Sequence, residues 1–245
     1  MDDPYRHSVE AYELLHAARG KDYRREAAAV VERVRRRRPE ARTVLDVACG
    51  SGLHLAAFQE LGFEIEGVDV SAAMLDVARS RLPGVALHQG DMGTFRLGQR
   101  FDAVVCLFSS IGYMATLDDL AAAVVTMREH LLPGGVLVVE PWFEPDDWHD
   151  GAVFSEAATA GDLAVSRVSR SWREDDQSLI EMRYALPRHD RTWSFTELHR
   201  MGLFTTEQQL GVYRAAGLTA DHEPKPGLTD RGLFVAMAPR GSGAG

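Results

Sequence analysis

The chain has 245 residues, is 45% hydrophobic and carries a formal net charge of −9 at pH 7. This length and composition suit one α/β domain, with or without an insertion, around a substantial core. The acidic balance disfavours a sequence-independent nucleic-acid binder and electrostatic membrane attachment, because both need a basic surface. No apolar run reaches the roughly 18 to 20 residues that cross a bilayer, and the polar opening MDDPYRHSVE has no signal-peptide core. We therefore expect a cytoplasmic protein without nucleic-acid or membrane partners.

The cysteine and histidine patterns favour neither a disulfide nor a metal site. Cys49 and Cys106 both lie in apolar surroundings and are expected to be reduced, buried thiols. The histidines show no H-E-x-x-H or comparable spacing. The sequence therefore predicts no bound metal.

The first forty residues are predicted to be helical. Arg35 to Arg38 suit the negative C-terminal end of a helix dipole, and Pro39 ends the helix. A broken apolar stripe at helical spacing supports the helix: Leu14, Leu15, Ala29, Val30 and Val34.

From residue 41 the pattern alternates between short apolar runs and helical stretches. Strands are predicted at Thr43–Ala48, Phe63–Val70, VALHQGD, FDAVVCLF and GGVLVVEPW, and helices at His54–Leu61, Ser71–Leu82 and Leu120–Leu131. Ser71 can cap the second of these helices. Strands that alternate with helices predict a doubly wound, mostly parallel sheet with helices on both faces.

This alternation stops after Trp142. The turn Glu174-Asp175-Asp176-Gln177 precedes a period-two apolar run, Ile180 to Leu186, and a further strand-like run covers Trp193 to Leu203. We expect residues 143–203 to form a small antiparallel insertion. A helix at Thr205–Ala216 and two final strands, the second in RGLFVAMA, return the chain to the main sheet. The tail at 240–245 is expected to be disordered.

The stretch LDVACGSGLH, Leu45–His54, places a glycine-rich turn after the first strand. In an open parallel sheet, ligands bind at the carboxyl ends of the strands, where the strand order reverses. Gly50 and Gly52 are followed by Leu55 where a dinucleotide-binding turn has a small residue, so NAD or FAD fits poorly. A P-loop is excluded because no Gly-Lys-Ser/Thr follows.

The next strand ends offer partners for a nucleoside joined to an amino acid. The turn presents backbone amides and a carboxylate, Asp46, to an amino-acid-like group. Asp69 ends the second strand, where it can accept hydrogen bonds from both hydroxyls of a ribose. Asp91 follows the third strand and can accept from an adenine amino group, while Met74 and Met92 pack on the ring.

With these residues the chain resembles the class I S-adenosylmethionine-dependent methyltransferases over most of residues 40 to 140. LDVACGSG is similar to their glycine-rich first motif, GVDVS to the acidic second, QGDM to the third, and LLPGGVLVVE to a later strand. The resemblance implies that fold, a seven-stranded sheet, and S-adenosylmethionine as cofactor. The cofactor-binding residues that we predict are Tyr23, Asp46, Ala48, Gly50, Gly52, His54, Asp69, Val70, Met74, Asp91, Met92 and Leu107.

The flanking segments resemble a narrower group, the N-methyltransferases that dimethylate nucleotide-linked deoxyamino sugars in antibiotic biosynthesis. YELLHAARGKDY, CLFSSIGYM, VEPWF and RGLFVA carry this likeness. It implies a helical lid at 1–40, a cofactor-binding core at 41–142 and 204–239, and an insertion at 143–203 that covers the active site and helps to form a homodimer.

The same likeness implies roles for residues around the methyl acceptor. Tyr23 would approach the methionine part of the cofactor, Tyr12 would line the acceptor pocket, and Arg231 would meet a diphosphate, which a guanidinium fork suits. Ser109, Trp142 and His199 are further predicted pocket residues.

One position departs from the sugar methyltransferases. Tyr113 stands after SSIG where close members carry histidine, so a histidine base at that position is in doubt. We therefore predict that Tyr12 and Tyr113 are the catalytic side chains, which aim the amine while water takes its proton. Methyl transfer tolerates this arrangement, because positioning and electrostatic surroundings supply most of the catalysis.

Two alternatives stay open at this stage. Another small-molecule N- or O-methyltransferase would share the cofactor motifs, and a catalytically silent protein would bind the cofactor without turnover. Methylation of RNA is disfavoured by the acidic charge and by the lack of an N-P-P-Y-like motif.

Overall fold

The computed structural model describes residues 9–187, 189, 191–225 and 231–241. Residues 1–8 of the predicted lid and 242–245 of the predicted disordered tail lie outside this range. The helices are α1 (Val9–Ala18), α2 (Tyr23–Arg37), α3 (Leu53–Glu60), α4 (Ala72–Arg81), α5 (Leu117–Glu129) and α6 (Thr206–Ala215). The strands are β1 (Thr43–Val47), β2 (Glu64–Asp69), β3 (Ala86–Gln89), β4 (Phe101–Cys106), β5 (Leu131–Val139), β6 (Val153–Ala160), β7 (Leu163–Glu174), β8 (Gln177–Pro187), β9 (Thr192–Gly202), β10 (Thr219–Glu223) and β11 (Leu233–Met237).

The central sheet has seven strands in the order β10-β11-β5-β4-β1-β2-β3. Strands β1 to β5 are parallel, and β11 pairs antiparallel with β5 and with β10. The chain runs outward from β1 to β3 and then returns to the other side of β1 as β4. The predicted fold class is confirmed, and its strand-order reversal lies between β1 and β4, where ligands bind in such sheets.

Helices cover both faces of this sheet. Every residue of β4 is buried, as expected for a central strand with a packed layer on each side. Val104 and Cys106 face one buried cluster with α5 and Tyr213 of α6, whereas Ala103 and Val105 face a second cluster with α2 and α3. Cys49 and Cys106 are buried free thiols, as expected.

Side-chain caps fix the helix starts that border the site. Ser71 accepts a hydrogen bond from the backbone N–H of Met74 and so caps α4, as the sequence predicts. Thr116 and Asp119 form a capping box on α5, and Thr205 with Gln208 forms another on α6. These caps set the direction in which each helix leaves the carboxyl edge of the sheet.

The predicted insertion contains a separate antiparallel sheet in the order β6-β7-β8-β9. The predicted turn lies between β7 and β8, where Asp175 adopts a positive φ of 52°. Strand β6 has no predicted counterpart, because most of its residues are exposed and its sequence, VFSEAATA, has no alternating apolar pattern. Helix α1 packs on this sheet through a third buried cluster: Ala11, Leu15, Val165, Tyr184 and Leu186.

The N-terminal segment contains two helices instead of one. Asp22 caps α2 by accepting a hydrogen bond from the N–H of Arg25 across 2.9 Å, and α2 ends at the predicted arginine run. Among the described residues, no helix has both the length and the apolar composition to cross a membrane.

Candidate active site

The glycine turn after β1 is built from left-handed backbone. Ala48, Gly50 and Gly52 have φ values of 61°, 54° and 81°. A Cβ on Gly52 would lie 3.1 Å from Leu82 Cδ1, so this glycine allows close packing under α4. A Cβ on Gly50 would have a single neighbour within 4 Å, which is Met74 Sδ at 4.0 Å. Gly50 therefore leaves its backbone open toward the space above the strands.

That space is a mostly apolar cavity of about 260 Å³ against the carboxyl ends of β1, β2 and β3. Nine of the predicted site residues line it: Tyr12, Ala48, Gly50, Asp69, Val70, Met74, Asp91, Met92 and Tyr113. Further lining comes from Val47, Val68, Gly90, Ser110, Met114, Ala115, Leu198 and Arg200. We call this the nucleoside cavity.

Asp69 ties the first two strand ends together. Its Oδ2 accepts the Gly50 N–H at 2.7 Å, and its Oδ1 accepts the Ser71 N–H at 2.8 Å. These two bonds hold the carboxylate of Asp69 at the wall of the nucleoside cavity. Asp91 is held similarly, because its Oδ1 accepts the Gly93 N–H at 2.8 Å.

A second cavity, of about 600 Å³, adjoins the first and is called the acceptor cavity here. Helix α1, the α1–α2 connection, the segment after β4 and the inner face of the insertion sheet surround it. Tyr12, Ser110 and Tyr113 line both cavities. Its cationic lining residues are Arg19, Lys21, Arg25, Arg33, Arg167 and Arg231.

Arg231 is integrated into this wall and is not a surface charge. Its guanidinium lies 4.8 Å from the Trp142 ring centroid and 4.9 Å from that of Phe143. One nitrogen donates to Ser109 Oγ at 3.1 Å and lies 3.6 Å from Glu140, which is fully buried. The geometry leaves a planar cation facing the cavity, and this suits an anionic ligand.

The cations also act on His16, another lining residue. Burial lowers the pKa of His16 to about 3, with further lowering by Arg19, Arg167, Lys21 and Arg231. The ring packs edge-on against Tyr12 and Phe108, with centroids 4.5 and 4.8 Å apart. His16 is therefore neutral at physiological pH in a cavity with excess positive charge.

A polar cluster at the start of α2 borders the acceptor cavity. Glu26 accepts from Lys21 Nζ at 2.7 Å and lies 2.8 Å from His54 Nε2. Burial raises the pKa of Glu26, but these hydrogen bonds and charges outweigh burial and hold it below its usual value. The Tyr23 ring packs edge-on against His54, and burial raises the pKa of Tyr23.

Two buried polar atoms near the nucleoside cavity support a bound ligand. Among the described residues, Tyr23 Oη and Asp46 Oδ2 have no hydrogen-bond partner. Burial, and then the charge of Asp69, raises the pKa of Asp46 well above its usual value. Such groups are costly unless a ligand or water pairs them. Asp46 lies near the end of β1, next to the glycine turn, where an amino-acid moiety would supply such a partner. The site therefore fits S-adenosylmethionine.

The structure separates some predicted residues from the cavities. Tyr23, Asp46, Gly52, His54 and Leu107 are not among the residues that line the nucleoside cavity. Leu107 is part of the buried core, and His54 contacts Tyr23 and Glu26. Trp142, His199 and Arg231 line the acceptor cavity, whereas Ser109 lies behind Arg231. Their roles in binding stay predictions.

Several residues of the site were not predicted from the sequence. Lys21 and Glu26 flank Tyr23, and Lys21 Nζ lies 3.8 Å from the Phe108 ring centroid. Glu140, at the end of β5, accepts the Phe108 N–H at 2.7 Å. The strings GKDY and VEPWF pointed to this neighbourhood, but nothing in the sequence connected Arg167 of the insertion to it.

Comparisons with known proteins agree with this geometry. Residues 44–135 match the methyltransferase domain family. The chain is 45% identical over 94% of its length to a dTDP-3-amino-3,6-dideoxy-alpha-D-glucopyranose N,N-dimethyltransferase of Streptomyces fradiae, and it covers 90% of that protein.

Solved structures show the same relationship. Streptomyces venezuelae DesVI matches with a TM-score of 0.88 and 42% identity, over 94% of this chain and 98% of DesVI. CalS10 of Micromonospora echinaspora, an amino pentose methyltransferase solved with bound S-adenosylmethionine, matches with a TM-score of 0.83 and 42% identity, over 93% and 96% of the chains.

The fold and the nucleoside cavity define a class I S-adenosylmethionine-dependent methyltransferase. Within that class, the chain belongs to the family that contains the dTDP-amino-sugar N,N-dimethyltransferases. Both predictions of family and cofactor are confirmed.

Proposed function

We propose that this enzyme methylates the amino group of a nucleotide-linked deoxyamino sugar and produces the N,N-dimethyl sugar. The supporting observation is the pair of adjoining cavities whose common wall is Tyr12, Ser110 and Tyr113. One cavity suits a nucleoside attached to an amino acid, and the other is larger and cationic. The names of the relatives support the same acceptor class.

The nucleoside cavity would hold the cofactor through residues of three strand ends. Asp69 would accept hydrogen bonds from the ribose, Asp91 would accept from the adenine amino group, and Met74 and Met92 would pack against the ring. Tyr23 and Asp46 would pair with the methionine part. When bound, S-adenosylmethionine supplies an activated methyl group on a sulfonium centre.

The acceptor cavity would bind the nucleotide part of the sugar through its cations. Arg231 is the strongest candidate for the diphosphate, because Trp142, Phe143 and Ser109 hold its guanidinium in a fixed plane. Neutral His16 adds no further charge next to the tyrosines. This arrangement favours an anion at one end of the cavity and an amine at the other.

Tyr12 and Tyr113 would aim the amine. Both line the two cavities, and a phenolic oxygen can accept a hydrogen bond from an amino group. Holding the nitrogen lone pair in line with the methyl carbon is the main catalytic requirement of such a displacement.

Further parts of the proposal concern organisation. Helices α1 and α2 would act as the lid over residues 41–142 and 204–239, and the insertion at 143–203 would roof the acceptor cavity. We also propose a cytoplasmic homodimer. Light scattering coupled to size-exclusion chromatography measures its oligomeric state.

The deciding experiment offers the purified enzyme S-adenosylmethionine and dTDP-linked sugars with an amino group at C3 or C4. Mass spectrometry should detect one and then two added methyl groups on at least one of them. The same sugars without the nucleotide are the matched control and should react poorly. Methylation of a free natural product, without reaction of any nucleotide-linked amino sugar, would contradict the proposed acceptor.

A further inference from the structure

Tyr113 and His199 form a hydrogen-bonded pair beside the common wall of the two cavities. Tyr113 Oη lies 2.6 Å from His199 Nδ1, and both side chains line the acceptor cavity. Tyr113 belongs to the short helical turn after β4, whereas His199 projects from β9 of the insertion. The pair therefore joins the cofactor-binding core to the insertion at the expected position of the amine.

A glycine and a neighbouring strand make this approach possible. A Cβ on Gly112 would lie 2.8 Å from Trp142 Cβ and 2.7 Å from Met201 Cε, so glycine lets the turn pack directly against Trp142 and beside the flexible Met201 side chain of β9. His199 pairs in register with Ile180 of β8, another cavity residue. The Tyr113 turn thus packs closely beside β9, the strand that carries His199.

The second nitrogen of His199 faces a carboxylate. Nε2 lies 3.4 Å from Glu197 Oε2, and the two side chains are 4% and 9% exposed. A carboxylate can only accept a hydrogen bond, so it favours the tautomer with hydrogen on Nε2. Nδ1 is then the acceptor for the Tyr113 hydroxyl, and the Tyr113 side chain lines the acceptor cavity.

We infer that Tyr113, His199 and Glu197 form a proton relay that deprotonates the acceptor amine. An N–H bond of the substrate ammonium breaks as its proton moves to Tyr113 Oη. The original hydroxyl proton of Tyr113 moves at the same time to His199 Nδ1. The products are a neutral amine and an imidazolium paired with Glu197, which later releases its proton to solvent. His199 acts through Tyr113 and is a positioning residue with proton-accepting capacity.

This inference rests on the proposed function, and it replaces the expectation that water takes the proton directly from the amine. It gives His199 and Glu197 of the insertion a role in proton transfer, in addition to the role of the insertion in covering the acceptor cavity. The buried pair also explains why a tyrosine is workable at position 113, because a phenol alone is a weak base at neutral pH.

The kinetic test compares His199→Asn with wild type. The amide oxygen of asparagine can lie near the Nδ1 position and accept the Tyr113 hydrogen bond, but it cannot take a proton. Under the relay, kcat falls by about tenfold or more, in the range of lost acid–base catalysis, while the KM of the amino sugar changes less than threefold. Tyr113→Phe should match this loss, and Glu197→Gln should show a smaller one.

Glu181→Gln is the matched control and should keep wild-type kcat. Glu181 lies on β8 and pairs with two surface arginines, Arg170 and Arg183. Calorimetry should give unchanged S-adenosylmethionine binding in His199→Asn, Glu197→Gln and Glu181→Gln, none of which lines the nucleoside cavity, and this checks folding. A His199→Asn variant that keeps wild-type kcat with an active amino-sugar substrate overturns the relay and leaves the proposed function intact.

A second measurement needs no acceptor. Nitrogen-15 NMR of labelled histidines in the full-length enzyme with bound S-adenosylmethionine should show His199 with bare Nδ1 and protonated Nε2, assigned by its loss in His199→Asn. The Nδ1 resonance should move in Tyr113→Phe. A proton on Nδ1 in the wild type would contradict the relay. This result does not depend on whether any nucleotide-linked amino sugar is methylated, so it is separate from the test of the proposed function.

Discussion

The backbone N–H of Gly50 donates a hydrogen bond to Oδ2 of Asp69 across 2.7 Å. This bond couples the glycine turn after β1 to the acidic end of β2, which are nineteen residues apart in the chain. It holds the carboxylate at the wall of the nucleoside cavity. The two sequence motifs therefore form one binding unit.

Replacing Asp69 with alanine should weaken S-adenosylmethionine binding by about tenfold or more. The change removes hydrogen bonds to a charged group, each of which contributes about 1.5 to 3 kcal/mol, and it releases the Gly50 turn. Isothermal calorimetry measures the Kd. Asp76→Ala, an exposed position on α4, is the control and should bind normally. Equal affinity in Asp69→Ala and wild type would rule out the proposed ribose site.

Arg231→Ala should raise the KM of the nucleotide-linked sugar by about tenfold or more and leave S-adenosylmethionine affinity unchanged. The reason is the loss of charge-assisted hydrogen bonds to the diphosphate, again about 1.5 to 3 kcal/mol each. The KM of Arg231→Lys should lie between those of the wild type and Arg231→Ala, because lysine keeps the charge but lacks the planar guanidinium fork. Steady-state kinetics gives both values.

An arginine remote from the cavities provides the comparison for Arg231. Arg36 lies on the exposed side of α2, where it pairs with Glu32. Arg36→Ala should leave the acceptor KM at its wild-type value. If Arg231→Ala behaves in the same way, the acceptor is not held through a diphosphate at this position.

His16 should make stability depend on pH below neutrality. The folded protein keeps this ring neutral down to about pH 3, whereas an unfolded histidine takes a proton below about 6.5. The unfolded state binds more protons in that window, so the free energy of unfolding falls as pH drops. The contribution between pH 6.5 and 4 is about 3 kcal/mol, from about 1.4 kcal/mol per pKa unit.

Chemical denaturation at several pH values measures this effect. His16→Asn should show a shallower decrease in the free energy of unfolding between pH 6.5 and 4 than wild type, whatever its stability at neutral pH. Parallel pH curves for the two proteins would show that His16 is not held neutral by its surroundings.

Asp102 provides a stability test away from both cavities. Its carboxylate accepts from Arg38 Nε at 2.6 Å and from the N–H groups of Arg42 and Thr43 at 2.9 and 3.1 Å. Burial raises the pKa of Asp102, but these donors outweigh burial and lower it. Asp102→Ala should lower the unfolding free energy by about 1 to 3 kcal/mol, because it leaves the Arg42 and Thr43 donors unpaired while the partly exposed Arg38 can still reach water.

The loss at Asp102 should depend on pH in a defined direction. The pKa of Asp102 is lower in the folded than in the unfolded state, so the ionised carboxylate stabilises the protein at pH values above the unfolded-state pKa. This stabilisation is lost as the pH falls through the folded-state pKa. The difference between wild type and Asp102→Ala should therefore shrink below about pH 4, while S-adenosylmethionine affinity at neutral pH stays the same in both. A constant difference down to pH 2 would contradict this account.

The sequence by itself determined the α/β class, the mostly parallel sheet, the antiparallel insertion and the three strand ends that form the nucleoside cavity. These features depend on local signals, namely apolar periodicity, capping residues such as Ser71 and left-handed glycines such as Gly50, and each acts over a few residues. Strand β6 was not predicted, because its mostly exposed residues lack such a signal.

Only the tertiary structure decided which distant side chains share the acceptor cavity. Tyr113 and His199 are 86 residues apart, and Arg231 and Ser109 are 122 apart. Their contacts result from how the insertion and the last strand pack against the core, which chain-local periodicity does not encode. The neutral state of His16 has in part the same origin, because two of the cations near it, Arg167 and Arg231, come from distant parts of the chain.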